Sequence, residues 1–218
     1  MNFDWSVVWR NANALMEGTE LTILLAVTTM AISIPGGILL ALMRLSSVRV
    51  LTVASASFTE LFRNMPLILV IYTAYYVLPV AIGLSFPPIV TGIVALSLNV
   101  SAYNGETFRA GIASIRKGQS EAAYALGMSR WQTNRDIILS QAIRRVLPVL
   151  ASTWVSLFKD TSLVSVISIG ELAYNSMRLR AQTYRLEMLT AMAAIYWALG
   201  YPQAKLVDWI NRRYAVNE

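Results

Sequence analysis

The chain has 218 residues, 56% of them hydrophobic and only 14% charged, with mean hydropathy +0.53 and a formal net charge of +6. Soluble globular domains carry about 25% charged residues, so an ordinary soluble domain is excluded. The chain has no Cys and no His, which excludes disulfides, thiolate nucleophiles, zinc sites and histidine general bases. No catalytic residue and no metal site is expected.

Within residues 1–20, Trp5, Val8, Trp9, Ala12, Leu15 and Met16 recur at helical spacing opposite a more polar face. Trp favours the membrane–water boundary, so the spacing predicts an outer interfacial helix, lying on the bilayer or packed on the protein. Asp4 stands where a signal peptide needs basic residues, and no small-residue cleavage site follows the first apolar run. A cleavable leader is therefore not expected.

A spanning helix needs about 20 mostly apolar residues. Residues 21–43 carry no charge, and residues 65–86 form a second uncharged run broken near its end by Pro79 and Gly83. Residues 88–108 are the third run, with Asn99, Asn104 and Glu106 toward the far end. Residues 147–169 are the fourth, with Lys159 and Asp160 inside, and residues 188–210 the fifth, with Pro202 and Lys205 near the end. Residues 1–218 thus read as one all-α integral membrane domain with five transmembrane helices.

Basic residues mark the cytoplasmic side. Thirteen Lys and Arg fall in 44–63, 109–147 and 205–218, against four in 1–20, 79–87 and 170–187. The chain is expected N-out and C-in. Net positive charge suits nucleic acid in a soluble protein; here it gathers in loops between apolar spans, so the lipid bilayer is the expected partner and nucleic acid is not. Arg178, Arg180 and Arg185 run against the rule, in an outer loop that either meets a partner protein or is simply solvated.

The largest cytoplasmic loop is 109–147. Glu121, Ala122, Ala123, Ala125 and Leu126 are good helix formers, and Ser120 is a candidate N-cap. Gly127 suits the left-handed position that ends a helix. A second helix is expected after Ser129, through Trp131, Ile137 and Ile138 toward Leu147. Small side chains at 122, 123 and 125 let another surface come close. The loop reads as a docking element, or as a hairpin packed on its own domain.

The pattern Glu121-Ala122-Ala123, Gly127, Ile137 and Leu139 (E-A-A-x3-G-x9-I-x-L) resembles the cytoplasmic loop of bacterial ABC importer permeases. The runs Arg109-Ala110-Gly111-Ile112, Gly118-Gln119-Ser120-Glu121-Ala122-Ala123, Ala125-Leu126-Gly127 and Lys159-Asp160-Thr161-Ser162-Leu163 are similar to the polar amino-acid uptake permeases. Phe3-Asp4-Trp5 and Met43-Arg44-Leu45-Ser46-Ser47 look most like glutamate/aspartate permease subunits. The resemblance covers nearly the whole chain, with one clear departure: Ser140 stands where the family usually has Pro.

The resemblance implies a location in the bacterial inner membrane and a coupling helix, carried by Glu121, Ala122, Ala123, Gly127, Ile137 and Leu139, seated in a groove of an ABC ATPase. Two ATPase subunits, a second permease subunit, identical or homologous, and an extracytoplasmic substrate-binding protein that delivers the amino acid complete the machine. The chain has no G-x-x-x-x-G-K-[ST] phosphate loop. ATP and Mg are therefore expected in the partner ATPase, with no cofactor in this chain, which is not itself an enzyme.

Ionisable residues inside a membrane are costly and by default suggest function. Glu106, Lys159 and Asp160, with Asn99, Thr161 and Ser162 beside them, are the candidate substrate path. Lys159 and Asp160 point about 100° apart on a helix and pair poorly. Asp160 is a candidate cap for a helix restarting at Thr161. For a zwitterionic amino acid, a carboxylate would suit the ammonium, and Lys159 or a helix N-terminus the carboxylate. The alternative is a structural Lys159–Glu106 pair, with Arg109 as an interface anchor. Two other classes fit parts of the chain: an ion-coupled secondary transporter or channel subunit, which the intramembrane charges favour but the absence of an inverted repeat does not, and a scaffold that recruits a soluble partner.

Overall fold

A computed structural model describes residues 4–214; Phe3, at the expected outer end, and residues 215–218, at the expected cytoplasmic end, lie outside the described residues. Every regular element among the described residues is helical. The short α1 (Ser6–Arg10) is followed after one residue by α2 (Ala12–Arg44), which runs unbroken past Pro35. The separate outer helix is thus shorter than its periodicity predicts. Ala12, Leu15 and Met16 already belong to α2, because Leu15 is drawn into a small cluster with Leu172, Leu179 and Met188.

By length and apolarity, α2 is the one described helix that qualifies alone as a span. Its exposed face is Ile23, Leu24, Val27, Ile32, Leu39 and Leu42, as a lipid-facing surface requires. α3 (Arg49–Asn64) occupies a stretch that reads in sequence only as a basic loop. It joins the apolar segment 67–82 through a bend of 108°, and the two pass the same test together. That segment is α4 (Leu67–Tyr72), a π-helical stretch (Thr73–Val77) and α5 (Leu78–Ile82). Pro79 has no amide hydrogen for an i to i−4 bond, and the helix widens to π just before it.

α6 (Pro88–Ala113) packs closely along α2. A Cβ on Gly37 would lie 2.6 Å from the Asn104 Cβ, and one on Gly105 would lie 2.9 Å from the Leu40 Cβ. Small residues at such crossings let membrane helices approach and bond, and Asn104 donates its amide to the Ser33 hydroxyl at 3.2 Å. The chain then forms α7 (Lys117–Ala125), α8 (Arg130–Gln132), a second π-helical stretch (Thr133–Leu139), α9 (Ser140–Asp160), a 3-10 stretch (Thr161–Ile167), α10 (Leu172–Thr183) and α11 (Glu187–Tyr214). Residues 170–187, read as a loop, are mostly helix. The main core joins Leu25, Ile71, Leu96, Leu157, Val164 and Ile167. It packs α2, α4, α6 and α9 against the middle and end of the 3-10 stretch, through Val164 and Ile167.

Candidate functional site

α7 begins at Lys117 with Arg116 as its N-cap, so Ser120 lies inside the helix and does not cap it. The extra turn is held onto α9 by Gln141, whose amide donates to the Gln119 side-chain carbonyl at 2.9 Å. At the other end Gly127 has φ +80. The Gly127 and Met128 amides donate to the Tyr124 and Ala123 carbonyls at 2.9 and 3.0 Å. This paired closure needs a left-handed residue after the helix. Ser129 then opens α8 with a reciprocal cap: its hydroxyl accepts from the Gln132 amide, and its amide donates to the Gln132 side chain.

Ala123 is buried under α7, whereas Glu121, Ala122, Tyr124 and Gly127 are exposed. Leu126 and Trp131 are 83% and 70% exposed. Sequence reading had passed over both as docking residues. Large apolar side chains left this exposed, five residues apart in one loop, are what an interaction surface offers. Ile137 is half-buried, and the exposed Leu139 lines an apolar groove with Ile38, Leu42, Phe108 and Ile143. Ser140 ends the π-helical stretch, and its hydroxyl donates to the Asp136 carbonyl at 2.6 Å.

A cavity of about 630 Å³ lies between the end of α3, α6 and α9, lined by Arg63, Asn64, Asn99, Tyr103, Ser152, Thr153, Ser156 and Asp160 among others. Two of the six path candidates, Asn99 and Asp160, meet there. Asn99 donates to the Phe62 carbonyl at 2.8 Å, and Tyr103, one turn on, donates to the Arg63 carbonyl at 3.2 Å. They satisfy two of the carbonyls that the end of α3 leaves open, and so hold Arg63 at the cavity. Arg63, Tyr103, Ser152 and Ser156 were missed in the sequence. Their one legible signal is that Ser152, Ser156 and Asp160 recur every four residues within an apolar run.

The other candidates lie elsewhere. Lys159 lines a separate groove with Trp197 and Tyr201, since adjacent residues diverge on a helix. Glu106 binds Arg109, accepting from Nε at 2.9 Å and also from the terminal guanidinium nitrogen. The alternative Lys159–Glu106 pair is thus not formed, and Arg109 is an ion-pair partner rather than only an anchor. A helix does restart at Thr161, but as 3-10 and without a side-chain cap from Asp160. The buried Thr161 hydroxyl donates to the Phe158 carbonyl and the Ser162 hydroxyl to the Lys159 carbonyl. Both serve the local backbone.

Glu171, unnoticed in the sequence, is fully buried. Its carboxylate caps α10 by accepting from the Ala173 and Tyr174 amides at 2.8 and 2.7 Å. Tyr196 of α11 donates to it at 3.0 Å, and Thr22 of α2 accepts from the Leu172 amide beside it at 3.2 Å. Burial pushes the Glu171 carboxyl above its ordinary range, against the pull of these donors.

The family described as the inner-membrane component of binding-protein-dependent transport systems matches residues 33–216. The glutamate/aspartate import permease of Escherichia coli (strain CFT073) is 35% identical, with 98% of this chain and 99% of that one covered. The glutamine transport system permease of Escherichia coli (strain K12) is 33% identical, over 99% and 100%. A solved amino acid ABC transporter, crystallised with histidines, has a chain that superposes with TM-score 0.91 at 31% identity, over 98% and 100%. The chain belongs to this inner-membrane component family, as an amino-acid permease of an ABC importer.

Proposed function

We propose that the chain is the five-span, N-out and C-in permease of an ATP-driven importer for glutamate or aspartate. In this reading α2, the segment 67–82, α6, α9 with its 3-10 extension and α11 cross the bilayer. The last three carry polar or charged residues that a window of apolarity discounts. The tip of the 109–147 loop, with Glu121, Ala122, Leu126, Gly127 and Trp131, seats in a separate ATPase. A second permease subunit shares the path, and an extracytoplasmic binding protein delivers the substrate.

The observation that carries the reading is the cavity that sets Arg63 and Asn64 opposite Asp160. A zwitterion places its ammonium at Asp160, and an acidic amino acid brings two carboxylates, one of which the Arg63 guanidinium can hold as a charge-assisted pair. Arg63 thus takes the role first given to Lys159. The near-equal likeness to a glutamine permease makes glutamine the competing substrate. The test is reconstitution of the permease with its ATPase and binding protein in vesicles loaded with ATP. Uptake of labelled glutamate or aspartate, competed poorly by glutamine, is the expected result. Uptake of glutamine alone would replace the substrate, and uptake driven by an ion gradient without ATP would replace the whole reading.

A further inference from the structure

A second cavity, of about 460 Å³, adjoins the one that holds Arg63 and Asp160, and the two share Arg63, Tyr103, Val149 and Thr153. On α6, Asn99, Tyr103, Glu106 and Ala110 follow at steps of three or four residues, and on α9 so do Asp160, Ser156, Thr153, Val149 and Arg145. One face of each helix therefore lines both cavities in turn. The second reaches Ser114 at the end of α6 and Arg145 near the start of α9, so on the proposed topology it is the inner of the two. Its charged lining is one carboxylate, Glu106, and two guanidiniums, Arg63 and Arg145. Arg109, which is not part of the lining, bonds the Glu106 carboxylate; a carboxylate so held keeps lone pairs for a further donor. Arg145 donates one N–H to the Ser114 carbonyl at 3.0 Å and makes no ion pair within 4 Å among the described residues. A guanidinium carries five N–H donors, so most of those on Arg145 remain for a ligand.

We propose that this inner cavity is a second station for an acidic amino acid on its way to the cytoplasm. Such a molecule carries one ammonium and two carboxylates, the complement of one carboxylate and two guanidiniums. Glu106 receives the ammonium, Arg145 takes one carboxylate, and Arg63 keeps the other. Planar guanidiniums bind carboxylates through paired N–H donors. Because Arg63 lines both cavities, a carboxylate stays on it while the ammonium passes from Asp160 to Glu106. The substrate thus changes station with its charges met at each end, and one molecule occupies one station at a time. Glutamine offers the second guanidinium only an uncharged acceptor, so it is held more weakly there. The inference rests on the reading of the chain as an importer of acidic amino acids, and adds Glu106 and Arg145 to its path.

The chain has no cysteine, so single cysteines report each cavity separately: Thr107→Cys lines only the inner one and Ser152→Cys only the outer. The complex with its ATPase, in detergent, is labelled with N-ethylmaleimide, with and without glutamate, aspartate or glutamine. Glutamate and aspartate should slow labelling at both positions, and glutamine should protect Thr107→Cys less. Arg145→Gln should abolish the protection of Thr107→Cys and keep that of Ser152→Cys. In vesicles the same change should lower the maximal rate of glutamate uptake about tenfold or more, with the half-saturating concentration unchanged. Arg145→Lys, which keeps the charge, should restore part of both and separates this role from a loss of folding. Protection of Ser152→Cys alone overturns the inner station and leaves the importer reading standing. Equal protection of Thr107→Cys by glutamine overturns its preference for acidic substrates. Protection of Thr107→Cys that survives Arg145→Gln overturns the role of Arg145. No protection at either position, in a complex that still takes up glutamate, overturns both cavities and leaves the importer.

Discussion

The Tyr196 hydroxyl donates to the Glu171 carboxylate at 3.0 Å, and this bond joins α11 to the first turn of α10. Because Thr22 accepts from the neighbouring Leu172 amide, three helices meet at one buried carboxyl. Removing Tyr196's hydroxyl strands one acceptor; Tyr196→Phe should cost about 1–2 kcal/mol. Glu171→Ala removes the cap and leaves the Tyr196 hydroxyl and two amides unmet, so it should cost more, about 2–4 kcal/mol. Thermal unfolding of the purified permease in detergent ranks the two, and equal midpoints for wild type and Glu171→Ala would refute the account.

Glu171 also shows where sequence reading stops. Its neighbours in sequence place it in a short outer loop beside three arginines, and nothing local tells that Thr22 and Tyr196 converge on it from 149 and 25 residues away. Gly127 was legible because its role is local: a helix-forming run followed by glycine dictates a left-handed stop. The same holds for the restart at Thr161. α3 was missed because its apolar residues are interleaved with Ser and Thr, so it lacks the run that marks a span. Asp160 was found by its charge alone, whereas Arg63 was assigned to a loop; the bonds from Asn99 and Tyr103 to the Phe62 and Arg63 carbonyls fix the end of α3 on α6, and so bring Arg63 to the cavity that Asp160 of α9 also lines.

The loop tip supplies the second prediction. Gly127 sits at φ +80, where a residue with a Cβ costs roughly 1–2 kcal/mol. Gly127→Val should disorder the turn that presents Leu126. Leu126→Ala and Trp131→Ala leave the turn intact and remove only exposed apolar area. All three should weaken ATPase capture, each by about tenfold, without lowering permease yield in the membrane. ATPase retention on immobilised permease measures this, and full retention by the Leu126→Ala, Trp131→Ala pair would show that the partner sits elsewhere.

Acid should loosen the N-terminal segment. Glu187 accepts from the Asp4 amide at 2.7 Å, and that bond, before the nearby Arg185, holds its carboxyl below the ordinary 4.5. Asp4 is likewise lowered, by the Ser6 hydroxyl and amide. Lowered carboxyls contribute stability that is fully present above the ordinary value and lost as pH falls through the folded one. Trp9 fluorescence should therefore be constant from neutral pH down to about 5 and change below about 4.5. Glu187→Gln should remove most of the transition. A wild-type profile flat to pH 3 would contradict it.

The proposed N-out, C-in topology rests on the basic asymmetry, and single cysteines test it. Ser129→Cys lies at the exposed α8 cap, and Tyr184→Cys replaces a residue 90% exposed just after α10. In intact cells an impermeant maleimide should label Tyr184→Cys and not Ser129→Cys, and in inverted vesicles the pattern should reverse. Labelling of Ser129→Cys from outside would sink the N-out, C-in arrangement.

Arg63 and Asp160 give the sharpest test of the cavity. They face one space from different helices and form no ion pair within 4 Å among the described residues; the Arg63 guanidinium lies over the Tyr103 ring, 5.5 Å from its centroid, which leaves its charge unneutralised by any carboxylate within that distance. Asp160→Asn removes the partner of the ammonium, which every amino acid carries; it should depress uptake of glutamate and glutamine alike. Arg63→Gln removes the partner of a carboxylate. If that carboxylate is the side chain's, glutamate uptake should fall about tenfold or more while glutamine uptake, where present, is spared. If it is the α-carboxylate, both should fall together. Glu106→Gln and Lys159→Met, which lie outside the cavity, should leave the ratio of the two substrates unchanged. The measurement is initial uptake rate against concentration for both amino acids in vesicles holding equal amounts of assembled complex. A change in the ratio for Lys159→Met, with none for Arg63→Gln, would move the site to the groove on the other side of α9.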